Sequence, residues 1–224
     1  MRPVERGVTT QTFTAYQQAR GLLIKRLGEY CSYCEMPANA SLAVEHIQPK
    51  KKNPALELEW DNFLLACGNC NPTKGDTEIV LTDYYWADTD NTARAFVYSV
   101  GGFIAPNPDL TPDEHVKAEA TMRLFGLEKR PPIDVEASDR RWSNRLQTWD
   151  IAIRALSRLK NLDKSEMREQ IVDTAVAQGY WSVWMTVFKD DPDMLERFIK
   201  EFHGTANCFH PTSFQPVPRV NGAI

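Results

Sequence analysis

Four of the five cysteines fall into two pairs of equal spacing, Cys31-Ser-Tyr-Cys34 and Cys67-Gly-Asn-Cys70, and between the pairs a glutamate stands directly against a histidine, Glu45-His46. A two-residue spacer lets both thiolates of a pair face one ion, and two such pairs supply the four soft ligands that Zn²⁺ takes as a tetrahedron. The opening stretch MRPVERGVTTQ has no apolar run of the kind a signal peptide needs, so the thiols are expected to stay reduced in a cytoplasmic setting. The pairs therefore read as metal ligands before disulfides, and no βαβ pattern surrounds them to support a redox role. The fifth, Cys208, reads as a small buried or tail residue; with His203 and His210 it makes a weaker candidate for a second metal group.

Thirty-two residues separate Cys34 from Cys67, so a zinc ion there would clamp the two ends of an excursion that holds the remaining chemistry. Leu42 to Ile47 is short, apolar and rich in branched residues, as a strand is, and Gln48-Pro49 ends it. The basic run Lys50-Lys51-Lys52 follows; Lys50 and Lys51 either contact phosphate or lie in a solvated loop. Phe63 to Ala66 either pairs with the first strand or continues as a buried helical turn. Asn71-Pro72 has the look of a helix opening, with Asn as cap and Pro at the first helical position, and Lys74 sits one turn in, within reach of a phosphate or solvated.

The order Cys31-x2-Cys34, Glu45-His46, Asn62, Cys67-x2-Cys70-Asn71, Lys74-Gly75 resembles the HNH, or ββα-metal, nuclease motif in its zinc-stabilised form. The phrases RPVERG, EHIQPK and LLACGNCNPTKGD are further similar to PtuB-like nucleases of bacterial anti-phage systems, the Septu and related retron types. The resemblance implies an α+β chain: a ββα-metal core with its zinc, then a β-hairpin and a mostly helical C-terminal region. It implies His46 as general base, Asn62 as a brace for the strand carrying it, and Asn71 with Glu45 as ligands of one divalent ion. It also implies an ATPase partner of the PtuA type and, in retron forms, a reverse transcriptase with its noncoding nucleic acid. Asn at 71 and Glu at 45 stand where the familiar motif has His and Asp; both keep an oxygen donor, which favours Mg²⁺ or Mn²⁺.

Hydrolysis of a phosphodiester needs a deprotonated water in line with the leaving oxygen and stabilisation of the charge that builds there. A neutral imidazole can take the water's proton near neutral pH. Adjacent strand residues point to opposite faces, so Glu45 and His46 can serve one ion only across a bulge or strong twist; otherwise Glu45 orients the site from behind. Water is the attacking group and needs no 2′-hydroxyl, so DNA is the favoured substrate, with RNA, including tRNA, the alternative and a non-catalytic zinc-ribbon binding module a third reading.

The net charge is -4, and it is not masking a basic half: residues 1–80 hold 9 Lys+Arg against 9 Asp+Glu, leaving 17 against 21 beyond. Such a chain is expected to hold nucleic acid poorly by itself and to need a partner. It contains no phosphate-binding GxxxxGK[ST] loop. Four regions are expected: a nuclease core over 1–82 with a leading helix, a hairpin and helix over 83–130, a helical partner-docking region over 131–210, and a flexible tail over 211–224. Gly101-Gly102 between two apolar runs predicts the hairpin, Thr111-Pro112-Asp113-Glu114 a helix start, and Pro131-Pro132 a break. Helical patterns fill 138–161, 165–178, 180–189 and 192–203, with Trp142, Trp149, Trp181 and Trp184 spaced for a core face. Arg140, Arg141 and Arg145 share one of these helices as nucleic-acid contacts, partner contacts or a plain solvated face.

Overall fold

The computed structural model describes residues 1–38, 41–131 and 138–224, so Pro132 lies outside the described residues. Strand β1 (Ala43–His46) pairs antiparallel with β2 (Phe63–Ala66), running without a bulge from Ala43 opposite Ala66 to His46 opposite Phe63. All four β2 residues are buried, as the Phe-Leu-Leu-Ala run requires, and helix α1 (Arg20–Leu27) covers them with Leu23 and Leu27. The second cysteine pair runs straight into helix α2 (Cys70–Lys74), with Asn69 at its N-cap position and no side-chain capping bond. Asn71 is therefore inside the first turn and not its cap, because its own N–H already bonds the Cys67 carbonyl at 3.1 Å.

A short helix α3 (Thr92–Ala95) leads into the hairpin of β3 (Phe96–Ser99) and β4 (Phe103–Pro106), whose turn puts Gly101 and Gly102 at φ +87° and +69°. Those angles suit glycine alone without strain, and any Cβ on Gly102 would lie 2.7 Å from the Leu146 backbone nitrogen. Helix α4 (Pro112–Phe125) starts with the expected reciprocal Thr111–Glu114 cap and ends at left-handed Gly126. Helices α5 (Arg141–Asn161), α6 (Ser165–Gln178), α7 (Trp181–Val187) and α8 (Pro192–Glu201) complete the chain. Trp181 and Trp184 are fully buried, and Trp142 and Trp149 partly so. None of these helices is long and apolar enough to cross a membrane among the described residues.

The helical region is not a separate body. The Tyr180 N–H bonds the Glu35 carbonyl at 3.0 Å, Ser182 N–H and Oγ donate to the Glu35 carboxylate at 2.8 and 2.5 Å, and Gly179 lies so close to Pro37 that a Cβ would meet it at 2.6 Å. The segment over 211–224, expected as a flexible tail, makes contacts with the body: Asn91 Nδ2 donates to the Val217 carbonyl at 2.7 Å, Arg219 Nη1 to the Val4 carbonyl at 3.0 Å, and Ile224 is buried. The Pro-rich segment lacks periodicity because it is held through its backbone and not through an apolar face.

Everything converges on the four thiols. The sulfurs of Cys31, Cys34, Cys67 and Cys70 all lie within 4.8 Å of one another, with Cys34 and Cys67 at 3.7 Å. A tetrahedron with Zn–S near 2.3 Å has sulfur–sulfur edges of about 3.8 Å, so the set fits Zn²⁺ and is far too wide for a disulfide. No other group of three or more His, Cys, Asp and Glu residues among the described residues is close enough to share an ion, so His203, Cys208 and His210 do not form a second three-ligand centre. Four thiolates around Zn²⁺ leave a net charge of about -2 in a buried place, which needs compensation. Arg141 meets part of it and is itself shared with an acid: Nη1 donates to Cys70 Sγ at 3.2 Å and to the Phe125 carbonyl at 2.6 Å, and Nη2 pairs with Asp139 at 2.7 Å. Arg141→Met is expected to speed zinc loss to a chelator and weaken metal affinity about 10- to 100-fold, the range for lost supporting hydrogen bonds, measured by chromogenic zinc release.

Candidate active site

His46 closes β1 with its ring packed edge-on against Tyr16 at 4.8 Å and its cross-strand neighbour Phe63 at 5.2 Å. Its Nε2 lies 3.0 Å from the Glu57 carbonyl oxygen. A carbonyl only accepts, so Nε2 carries the hydrogen and Nδ1 keeps its lone pair. Burial lowers the His46 pKa from the ordinary value, against the pull of the Glu57 carbonyl and with help from nearby Lys50. The imidazole is therefore neutral at neutral pH, in the tautomer a base requires.

Asn62 holds the loop that presents this histidine. Its Oδ1 accepts from the Gln48 N–H at 2.7 Å, and its Nδ2 donates to the carbonyls of Gln48 at 3.0 Å and Leu56 at 3.1 Å. One buried amide thus ties the end of β1 to the far side of the loop carrying Glu57, and three of its four hydrogen-bonding positions are used.

Glu45 meets a different set of neighbours. Its Oε1 lies 2.7 Å from Lys74 Nζ and its Oε2 accepts from Tyr33 Oη at 2.5 Å, both deep in the interior. Burial raises the Glu45 pKa, against the pull of Lys74 and Tyr33. Lys74 Nζ also donates to the His46 carbonyl at 2.8 Å, so one ammonium binds the carboxylate, the strand backbone and its own helix together. The regular pleat, with no bulge, separates Glu45 from His46, and the structure does not bring the two side chains to one ion. An ammonium already stands at Oε1 where a metal held by Glu45 would have to be. Lys74, 1% exposed, has no surface from which to touch a phosphate.

Of the other expected residues, Asn71 lies in the first turn of α2, half-buried, with no side-chain hydrogen bond among the described residues. Lys50 and Lys51 are at the surface: Lys50 pairs with Glu57 at 3.0 Å and lies 4.3 Å from the Tyr16 ring centre, and Lys51 pairs with Asp76 at 2.9 Å. Arg141 and Arg145 are buried structural cations and not a nucleic-acid face. Tyr33, Tyr16 and Glu57 escape sequence reasoning, as does the contact of Arg141 with Cys70. Tyr33 alone leaves a signal, an aromatic within the first cysteine pair; Glu57 acts through a carbonyl that any residue could provide.

Removing the Glu45 carboxylate would leave a buried ammonium without its counter-ion. Glu45→Ala is expected to destabilise the fold by about 3–5 kcal/mol, seen as an earlier denaturation midpoint without added divalent ion. An unchanged midpoint would show that the pair does not carry the strand–helix joint.

The chain matches no curated protein. Residues 31–77, the stretch from the first zinc-type cysteine through both strands to the end of α2, match the family model for HNH endonuclease, and it is this domain that carries His46, Asn62 and the four-cysteine cluster.

Proposed function

We propose that the protein is a metal-dependent HNH endonuclease that hydrolyses phosphodiester bonds of nucleic acid, DNA foremost, with His46 as general base. The observation that carries this is the His46–Glu57 contact inside a segment matching the HNH model: it leaves Nδ1 unprotonated and fixes the ring. A water placed at Nδ1 gives up its proton there while its oxygen attacks phosphorus. Asn62 keeps the ring in place by pinning the loop on both sides of it. A bound Mg²⁺ or Mn²⁺ would supply charge stabilisation at the phosphoryl and leaving oxygens. Asn71, whose side-chain amide is uncommitted, would hold it, and Glu45 acts as a positioning residue through Lys74. Lys50 and Lys51 would exchange their exposed carboxylate partners for backbone phosphates, an inexpensive trade because such surface pairs are weak.

The expected outcome is divalent-ion-dependent cleavage of DNA that falls about 10²- to 10⁴-fold in His46→Ala, with zinc content and fold retained. Full activity in that variant would overturn the assignment and favour a zinc-dependent binding module. The wild-type rate should hold as pH falls past the usual histidine value near 6.5 and drop only at a lower pH, because burial lowers the His46 pKa and only the neutral ring accepts the proton.

The low basic charge supports a further part of this reading, that a PtuA-like ATPase, in a Septu- or retron-type defence system with its reverse transcriptase and noncoding nucleic acid, brings substrate to the nuclease. The outer face of α5, with Ile153, Arg154 and Arg158 exposed, is the surface we assign to that partner. Truncating the helical region would not test this, since Arg141 and Glu35 tie it to the zinc centre. Reversing Arg154 and Arg158 to Glu together is expected to abolish co-purification with the ATPase without lowering the melting temperature; unchanged co-purification would refute the docking face.

A further inference from the structure

The buried arginines among the described residues are met unequally. Arg2 spends its two terminal nitrogens on the Leu27, Phe202 and His203 carbonyls and the Thr205 hydroxyl, and Arg141 pairs with Asp139 at 2.7 Å. Arg145 is the exception. It is 3% exposed, its Nε donates to the Gly102 carbonyl at 2.6 Å and its Nη2 to the Leu127 carbonyl at 3.3 Å, and it forms no ion pair among the described residues. Its Nη1 has no acceptor among them either, yet it is not one of the polar atoms sealed from solvent. A guanidinium stays charged at any ordinary pH, and a buried charge without a counter-ion is costly.

Arg145 lines a cavity of about 380 Å³ whose walls also include Phe103, Ile104, Glu128, Arg130 and Trp142. Arg130 is exposed at its rim, its guanidinium carbon 4.6 Å from the Phe103 ring centre, with no ion pair among the described residues. Two guanidinium groups against the one carboxylate of exposed Glu128 leave the cavity positive. Trp142 and Arg145 are the second and fifth residues of α5, at the end of a helix where its dipole favours an anion. The geometry also chooses among anions. A carboxylate pairs best with two parallel N–H groups of one fork, but the Arg145 fork is divided between two carbonyls, which leaves Nη1 alone. A phosphate spreads its charge over several oxygens, so one can meet Nη1 inside while others face Arg130 at the rim. Arg145 lies too deep for the backbone of a strand, whereas a terminal phosphate enters end-on.

We propose that this cavity binds a small phosphate, either free or at the end of a nucleotide, with Arg145 Nη1 donating to an oxygen inside and Arg130 meeting the rest at the rim. The site shares no residue with the His46 centre and needs nothing from the nuclease reading. Its ligand would bear on several elements at once. Gly102 belongs to the turn between β3 and β4, Leu127 follows α4, and Arg141, one turn before Arg145 in α5, touches the thiol cluster. A ligand that meets these groups only in the folded chain raises stability by mass action.

The test is titration of the full zinc-loaded chain with inorganic phosphate, adenosine 5′-monophosphate and acetate, followed through the indole N–H resonances by NMR, with Trp142 identified from Trp142→Phe. Phosphate and the monophosphate are expected to shift the Trp142 resonance saturably and to raise Tm, and acetate to bind at least about tenfold more weakly. Arg145→Gln should abolish binding. Because Arg145 also holds the Gly102 and Leu127 carbonyls, Arg130→Glu provides a second variant at the exposed rim, where no hydrogen bond or ion pair among the described residues is lost. It should weaken phosphate at least about tenfold and leave the ligand-free Tm unchanged. Tighter binding of the monophosphate than of phosphate would identify a nucleotide as the ligand, and equal binding a free phosphate. An unmoved Trp142 resonance, acetate binding as tight as phosphate, or binding indifferent to Arg130→Glu would each overturn the proposal. None of these readings involves cleavage, so they fail independently of the His46 assignment.

Discussion

Four sulfurs within reach of one ion are the constraint on which the rest of this structure depends. Two of them precede β1 and two follow β2, so an ion held there would close a loop that the two short strands could not hold by themselves; an isolated two-stranded hairpin is marginal in water. The charge of such a centre then has to be answered, and the answer comes from outside the segment. Arg141 reaches the Cys70 sulfur from the start of α5, and it also bonds the last carbonyl of α4. One guanidinium thus ties two helices to the thiol cluster, so the helical region is part of the cluster's support.

The second clamp is the buried Lys74 ammonium. It meets the Glu45 carboxylate and the His46 carbonyl at once, and Tyr33 completes the carboxylate from within the first cysteine pair. A buried ion pair earns little net stability against an apolar replacement, but it does set register: only one alignment of β1 against α2 satisfies all three groups. That alignment determines where His46 sits relative to Asn71. The acid and the imidazole that stand side by side in sequence therefore do different work on opposite faces of one strand.

Much of this was legible in the sequence wherever the signal was local. The two cysteine pairs, the Gly101-Gly102 hairpin, the Thr111–Glu114 cap and the helices near 165–178 and 192–201 rest on spacing and capping that short windows contain. Other readings change because the partner is distant in the chain. Lys74 reads as a phosphate contact or a solvated cation until Glu45, 29 positions earlier, is folded onto it. Arg141 reads as a surface charge until Cys70 appears beside it. The tail beyond 211 has no pattern to read because backbone and cap contacts to Asn91, Val4 and Ala87 hold it.

The same division explains why an HNH segment of 47 residues sits in a chain of 224. Within 31–77 lie the four thiols, His46 and Asn62, whose types and spacing the motif prescribes. What that segment lacks is enough apolar surface of its own: β2 is covered by α1, Tyr33 stacks on Phe125 of α4 at 3.7 Å, and Glu35 is satisfied from α7. Those supports are set by shape and burial, and many residues can provide them, so they leave no motif. A small segment with a prescribed interior charge pattern is thus bound to a larger frame that supplies its apolar cover, and the position of the His46 ring depends on that frame as well as on the motif.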